Sequence, residues 1–318
     1  MGAGHSHGAA VPSGTARSRM RLIAPMRAIP AREMAVRNSR PFDGRHFQLL
    51  LDFCSPIRLQ WIMTNTSDKQ SITVSFAPGG YHYVPGVFQY SAGVIAAQGF
   101  DIARARFRKT VPLAEGFARI EKFLAGEGRP LSAFCACELR SPAPFDEAGF
   151  RAFNQVYVET LKRWGISDGE TNPVARTNVC PPIDPPAEPS FHAFAFTIAR
   201  QGDWPGFVVS GSGESVEGKA NYRDHTVRLG DVSPAGIREK ARYVLGEMER
   251  RLARLGVSWE QTSAVQAYTV HDLHPFLADE IVRRGAGRSG LTWHFTRPPV
   301  VDLEFEMDCR GIAREIVL

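Results

Sequence analysis

The residues best suited to chemistry lie around one arginine. Arg176 sits in Asn172-Pro173-Val174-Ala175-Arg176-Thr177-Asn178-Val179, just after an expected helix and at the entrance to an expected strand. On that helix, Asn154 and Tyr157 stand one turn apart on an otherwise aromatic face. An arginine so placed is either the partner of an internal acid or the clamp for a small carboxylate. Its planar, permanently charged fork suits the second role, because it can grip a carboxylate through two hydrogen bonds. Other groups could act on protons. Glu304, Glu306 and Asp308 alternate along an expected strand, as a catalytic set or as a solvated acidic stripe. His271 and His274 flank Asp272, and His192 lies in an aromatic strand, where a satisfied histidine is the plainer reading. No Gly-x-Ser-x-Gly nucleophile motif accompanies them.

The elements that must position these residues follow from hydrophobic period and punctuation. Strands are expected over 47–53, 59–63, 72–74 and 87–90, the last running into Ser91-Ala92-Gly93. Leu113, Phe117, Ile120 and Leu124 form one helical face, closed by Gly126 and Gly128. A strand through Cys135 and Cys137, the Asn154 helix, the Arg176 strand, a proline-rich connection and a strand over 191–198 follow. The order then begins again. A strand over 207–211 leads to a helical face of Ile237, Ala241, Val244, Met248, Leu252 and Leu255, closed by Gly256. Next come a strand over 264–270, a helix starting at Pro275, a strand over 291–295 and an alternating strand over 301–308. Strands and helices mixed in this way predict an α+β fold, with each sheet covered on one face by two helices.

The chain of 318 residues is long enough for two domains. The division expected is a disordered basic tail over 1–40, a first domain over 41–198 and a second over 199–318. Seven arginines and one acid, Glu33, make residues 1–40 basic, leaving 31 basic against 32 acidic residues for the remainder. The near-neutral body argues against nucleic acid as a partner. Three readings remain for the tail: a disordered segment, an Arg-rich targeting peptide, or a start site further along, at Met26 or Met34. Five scattered cysteines do not form a disulfide framework and fit a reducing, cytoplasmic compartment. Cys135 and Cys137 would share one strand face, as small buried hydrophobes or as half of a metal site with no second half nearby. No apolar run is long enough for a membrane helix.

Four features of the first copy resemble the RidA/YjgF family of reactive-intermediate deaminases: Ser91-Ala92-Gly93 at a strand end, a glycine-closed helix with a Leu131-Ser132 step, the Asn154/Tyr157 pair, and Val174-Ala175-Arg176-Thr177. The second copy keeps Ser210-Gly211, has Arg288-Ser289 at the arginine position and ends in Leu303-Glu304-Phe305-Glu306. It lacks the Asn/Tyr pair, and the first copy has Phe191-His192-Ala193-Phe194 where the acidic strand would stand. The resemblance implies two tandem RidA-like (YjgF/chorismate mutase-like) domains and trimer-like packing, with sites in clefts between domains. It implies Arg176 and Arg288 as carboxylate clamps and Glu304 as the water-positioning glutamate. Ser91 and Ser210 would line the cleft, Asn154 and Tyr157 would support the arginine, and Tyr81 or Tyr83 would match a family tyrosine. The expected activity is metal-free and cofactor-free hydrolysis of an enamine or imine on a small carboxylate, of the 2-aminoacrylate or 2-aminomuconate type. The opposite losses in the two copies suggest that Arg from one and Glu from the other complete a cleft. A chorismatase-like activity on a carboxylated enol ether, or carboxylate binding without chemistry, are the alternatives.

Overall fold

The computed structural model describes residues 73–200 and 204–318. The strands expected over 47–53 and 59–63, and the basic tail, lie outside the described residues.

In chain order the elements are β1 (Val74–Phe76), β2 (Tyr81–Val84), β3 (Gly93–Ala96), β4 (Phe100–Pro112), α1 (Leu113–Gly126), β5 (Phe134–Arg140), α2 (Glu147–Arg163), β6 (Ala175–Val179) and β7 (Ser190–Ala199). After these come β8 (Phe207–Gly213), α3 (Pro234–Leu255), β9 (Ala264–Tyr268), α4 (His274–Phe276), β10 (Thr292–His294), β11 (Glu306–Gly311) and β12 (Arg314–Val317). The strands make two mixed sheets. Seven strands run in the order β1-β2-β3-β8-β11-β9-β10, and five in the order β12-β4-β7-β5-β6. Helices α1 and α2 cover the outer face of the five-stranded sheet, burying Phe117, Ile120, Tyr157 and Leu161 against Phe191, Phe194 and Phe196. Helix α3 covers the seven-stranded sheet with the periodic face read from the sequence. The two sheets face each other through small side chains, Ala96, Ala136, Ala175 and Ala195, around Tyr81, Val94 and Ile102. Small residues let the sheets approach closely, which brings β6 against β8.

Local chemistry explains the helix limits. Asp146 caps α2 by accepting from Gly149 N at 2.6 Å, and Ser233 caps α3 by accepting from Gly236 N at 3.1 Å, with Pro234 in the first turn. Gly256 ends α3 at φ 75°, a conformation that favours glycine.

Several expectations need correction. Strand β4 was not anticipated, because its charged residues break the apolar signal; its Arg104 is buried by a two-point bond to Glu138 at 2.6 and 2.8 Å. Val87 and Tyr90 form a single bridge rather than a strand. The helix expected from Pro275 is the three residues of α4 followed by a π-helical turn, Leu277–Val282. The strand expected over 301–308 begins only at Glu306. Cys135 and Cys137 do not share a face: a register shift against β7 between Phe134 and Ala136 turns Cys135 between the sheets and Cys137 towards α2. Strand pairing also runs between elements on either side of residues 198/199: β3 pairs with β8, and β12 with β4.

Candidate active site

The cleft is built from the edge strand β6. Because side chains alternate along a strand, Arg176 and Asn178 point one way, and Ala175 and Thr177 the other. Thr177 faces the second sheet, donating to Asp308 Oδ2 at 2.6 Å and accepting from Gly211 N at 3.1 Å. Two serines fix the strand's backbone. Ser210 Oγ donates to Ser91 O at 2.6 Å and accepts from Arg176 N at 3.0 Å, while Ser91 Oγ donates to Pro173 O at 3.1 Å. Arg176 is thus held at its backbone by groups from both halves of the chain.

Its side chain is 3 % exposed. The guanidinium lies over four rings, with Cζ 4.9 Å from the centroid of Tyr157, 5.1 Å from Tyr90, 5.6 Å from Phe153 and 5.9 Å from Phe150. Aromatic faces attract a cation but do not neutralise it or satisfy its N–H groups. Arg176 Nη1 has no hydrogen-bond partner among the described residues, and the same is true of Asn178 Nδ2. Asn178 Oδ1 accepts from Ser141 Oγ at 3.0 Å, which fixes the amide with its donor end free. Two buried donors on one strand face therefore point at the same cleft. It encloses about 420 Å3, counting space open to solvent, and Tyr90, Tyr222, Glu217 and Glu306 also line it.

Glu306 enters from β11 and is 4 % exposed. Burial, then Asp308, Glu217 and Glu214, push its carboxyl well above the usual carboxylate range, against the opposing pull of Arg176. Gly211 makes the approach possible, since a Cβ there would collide with the Glu306 carboxylate and meet Thr177 Cγ2. Glu217 is set by Tyr90, whose hydroxyl donates to it at 2.9 Å, and by Arg251 at 2.9 Å. Arg251 reaches in from α3 and donates to Ser210 O and Gly211 O at 3.2 and 3.3 Å.

The expected site residues divide. Arg176 and Tyr157 meet at the cleft, with Asn154 on the same helix face and lining the adjoining outer cleft. Ser91 and Ser210 are at the cleft's back but lock backbone instead of lining it. Glu304 is elsewhere. It lies before β11, held by His271 Nε2 at 2.8 Å and Arg297 at 2.7 Å, and the second acid of the Glu-x-Glu pair, Glu306, is the one that lines the cleft. Arg288 has a 68 % exposed side chain, 3.5 Å from Glu260, outside the Arg176 cleft. Opposite Ala267 on β9, β10 carries Trp293, whereas β6 carries Arg176 opposite Cys137. Tyr81 is buried between the sheets with its hydroxyl 3.4 Å from Phe134 O, and Tyr83 lies on the same strand; neither lines the cleft. Tyr90 and Tyr222 are the aromatic walls instead. His192 is partly buried beside Arg140 and Glu138, and desolvation first, then Arg140, lowers it to about 3, against the pull of Glu138. His274 and Asp272 are 2.6 Å apart and largely exposed, outside the cleft.

Asn178 was missed, although its spacing of two from Arg176 on a strand is the signal that finds it. Glu217 and Tyr222 carry no such signal, because they come from the irregular segment after β8. Among the described residues no group of three or more His, Cys, Asp or Glu is placed to hold a metal ion, and no helix is long and apolar enough to cross a membrane.

Residues 73–316 match the family described as 2-aminomuconate deaminase CnbZ. The chain is similar to the 2-amino-5-chloromuconate deaminase of Comamonas testosteroni, 51 % identical over 247 residues, covering 77 % of this chain and 98 % of that protein. Among solved structures it is similar to a chorismatase (TM-score 0.35, 15 % identity, 70 % of this chain and 77 % of that one). It is also similar to Escherichia coli TdcF with bound serine (TM-score 0.23, 16 % identity, 34 % of this chain and 80 % of that one).

Proposed function

The chain belongs to the CnbZ family of 2-aminomuconate deaminases, within the RidA/YjgF superfamily, and on that premise we propose that the Arg176 cleft hydrolyses the enamine or imine of a 2-aminomuconate-type carboxylate. One observation carries the assignment of the site. Two buried donors without partners, Arg176 Nη1 and Asn178 Nδ2, share a cleft with the buried carboxyl of Glu306, which burial and neighbouring acids push above the usual carboxylate range.

The roles follow from these properties. Arg176 and Asn178 hold the carboxylate next to the carbon that bears nitrogen, where a guanidinium and an amide can donate together. Glu306 starts protonated and gives its proton to the enamine carbon, leaving an iminium. Water adds to the iminium carbon and passes a proton to the Glu306 carboxylate, forming a carbinolamine. Glu306 returns that proton to nitrogen and takes the hydroxyl proton as the C–N bond breaks. One water is consumed, one ammonia and one 2-oxo acid are formed, and Glu306 ends protonated. A carboxyl with a raised pKa suits a group that must be acid and base in turn near neutral pH. The aromatic walls exclude bulk water, which strengthens the Arg176 contact.

Residues 73–198 and 204–318 read as two copies of one unit. Each has a parallel strand pair, β5–β6 or β9–β10, and helices packed on one sheet face. In this reading the first copy supplies Arg176 and Asn178 and the second supplies Gly211, Glu217 and Glu306, so a single chain completes one cleft. Trimer-like packing of such domains is the assembly that the superfamily implies.

The direct test is to supply 2-aminomuconate, follow loss of its dienamine absorbance and titrate ammonia, with the reaction run in H2 18O. Ammonia equal to substrate consumed, with label in the new carbonyl oxygen, is expected. Absorbance loss without ammonia refutes the assignment.

A further inference from the structure

A second, larger cleft adjoins the Arg176 site. Phe150 and Tyr222 line both, standing 6.2 Å apart at 72° as a partition. The outer cleft encloses about 1120 Å3, counting space open to solvent, between the start of α2 and residues 216–222. Its apolar walls hold unsatisfied polar groups. Asn154 is 1 % exposed, yet neither its Oδ1 nor its Nδ2 has a partner among the described residues, and Gln89 Oε1 is likewise buried without one. A buried amide with both ends unmatched is destabilising, and a bound polar ligand would relieve that cost. Asn154 lies four residues after Phe150 and three before Tyr157, on the helix face whose two rings carry the Arg176 guanidinium. The rim adds charge. Arg151 and Lys219 are exposed, line this cleft and make no ion pair among the described residues. The one acid of the lining, Glu147, is engaged by Tyr222 N at 2.8 Å.

We propose that this outer cleft is the subsite for the second carboxylate of a dicarboxylate substrate, with Asn154 Nδ2 donating to it and Arg151 and Lys219 supplying the charge. The inference rests on the deaminase reading and deepens it. With one carboxylate on Arg176 and Asn178, a muconate-type chain passes the Phe150/Tyr222 partition and ends among these groups. The oxygens of Asn154 and Gln89 accept from the water that accompanies a partly solvated carboxylate. A substrate with a single carboxylate, such as 2-aminoacrylate, leaves the subsite to solvent. The segment that carries Glu217 into the inner cleft carries Lys219 to the rim, so reaction and selectivity are coupled through one loop.

The test compares kcat/KM for 2-aminomuconate and 2-aminoacrylate, each generated in the assay, with ammonia as the readout. In Arg151→Glu/Lys219→Glu the ratio of the two values is expected to fall at least tenfold, mainly through KM for the dicarboxylate. Both changes are on exposed side chains, so folding is not at stake. Asn154→Ala, checked by circular dichroism, should lower the same ratio. A ratio within twofold of wild type in the double variant overturns the subsite while leaving the deaminase reading intact. Equal loss on both substrates overturns it as well. If the wild-type protein releases ammonia from neither compound, the deaminase reading falls and the subsite with it.

Discussion

Replacing Arg176 with methionine separates a substrate clamp from a structural cation. Methionine keeps the length and the contact with aromatic rings and removes the charge and the donors. In the free protein the guanidinium has no acid partner among the described residues, only four rings within 5.9 Å and a buried position. Cation–ring contacts contribute roughly 0.5–2 kcal/mol each, and the desolvation cost of a buried ion is several kcal/mol, so the two nearly cancel. Methionine should therefore leave Tm within about 3 °C of wild type or raise it. Activity should respond differently. Losing a buried, charge-assisted carboxylate contact costs about 3 kcal/mol, or ~150-fold in kcat/KM at 1.4 kcal/mol per decade. Arg176→Lys should fall between, since an ammonium restores charge but not the fork. The assays are ammonia release under kcat/KM conditions and a thermal melt of the same samples. Full activity in Arg176→Met refutes the clamp. A drop in Tm of about 10 °C together with the activity loss would mean that the arginine holds the aromatic face in place instead.

Glu306→Gln should cut kcat by about 10²–10⁴ with little change in KM, the range for loss of a general acid–base, and ammonia-release kinetics will show it. The same variant tests the raised pKa through stability. A carboxyl that holds its proton more tightly folded than unfolded gives stability that is present at acid pH and lost as pH rises towards the folded value; Glu306→Gln should therefore melt higher than wild type at pH 8, with the gap closing near pH 4. Glu304→Gln should keep activity within about threefold, because its carboxylate is tied to His271 and Arg297 outside the cleft; a loss as large as that of Glu306→Gln would reverse the two assignments. Gly211→Ala should lower kcat by roughly tenfold or more, as the new methyl displaces the Glu306 carboxyl, and a wild-type kcat would show that the close approach is not needed. Glu138→Ala should cost about 3–5 kcal/mol in urea unfolding by leaving the buried Arg104 with only its longer 3.5 Å contact to Glu315, and a loss under 1 kcal/mol would contradict the role given to that pair.

What the sequence determined was local or periodic. The helix faces of α1 and α3, the Gly256 stop and the place of Arg176 on a short strand after a helix could all be read, because 3.6-residue periods, caps and turn residues act over a few positions. The aromatic face of α2 was legible for the same reason, whereas the association of Tyr157 with Arg176 came only from the family resemblance. Strand β4 was hidden because a charged residue such as Arg104 reads as solvent-facing until its partner, Glu138 on another strand, is known. Glu304 and Glu306 were indistinguishable in a sequence that alternates, since a strand's start decides which acid is buried, and hydrogen bonds to β8 and β9 set that start at Glu306. Arg288 has an arginine's chemistry, but only packing reveals that it faces solvent. Glu217 and Tyr222 reach the cleft from an irregular segment with no period to read. The cleft itself was decided by tertiary structure, because its donors come from β6 and its acid from β11, on different sheets. Burial at that junction also pushes the Glu306 carboxyl above the usual carboxylate range, and burial is a property of the packed sheets rather than of the residue.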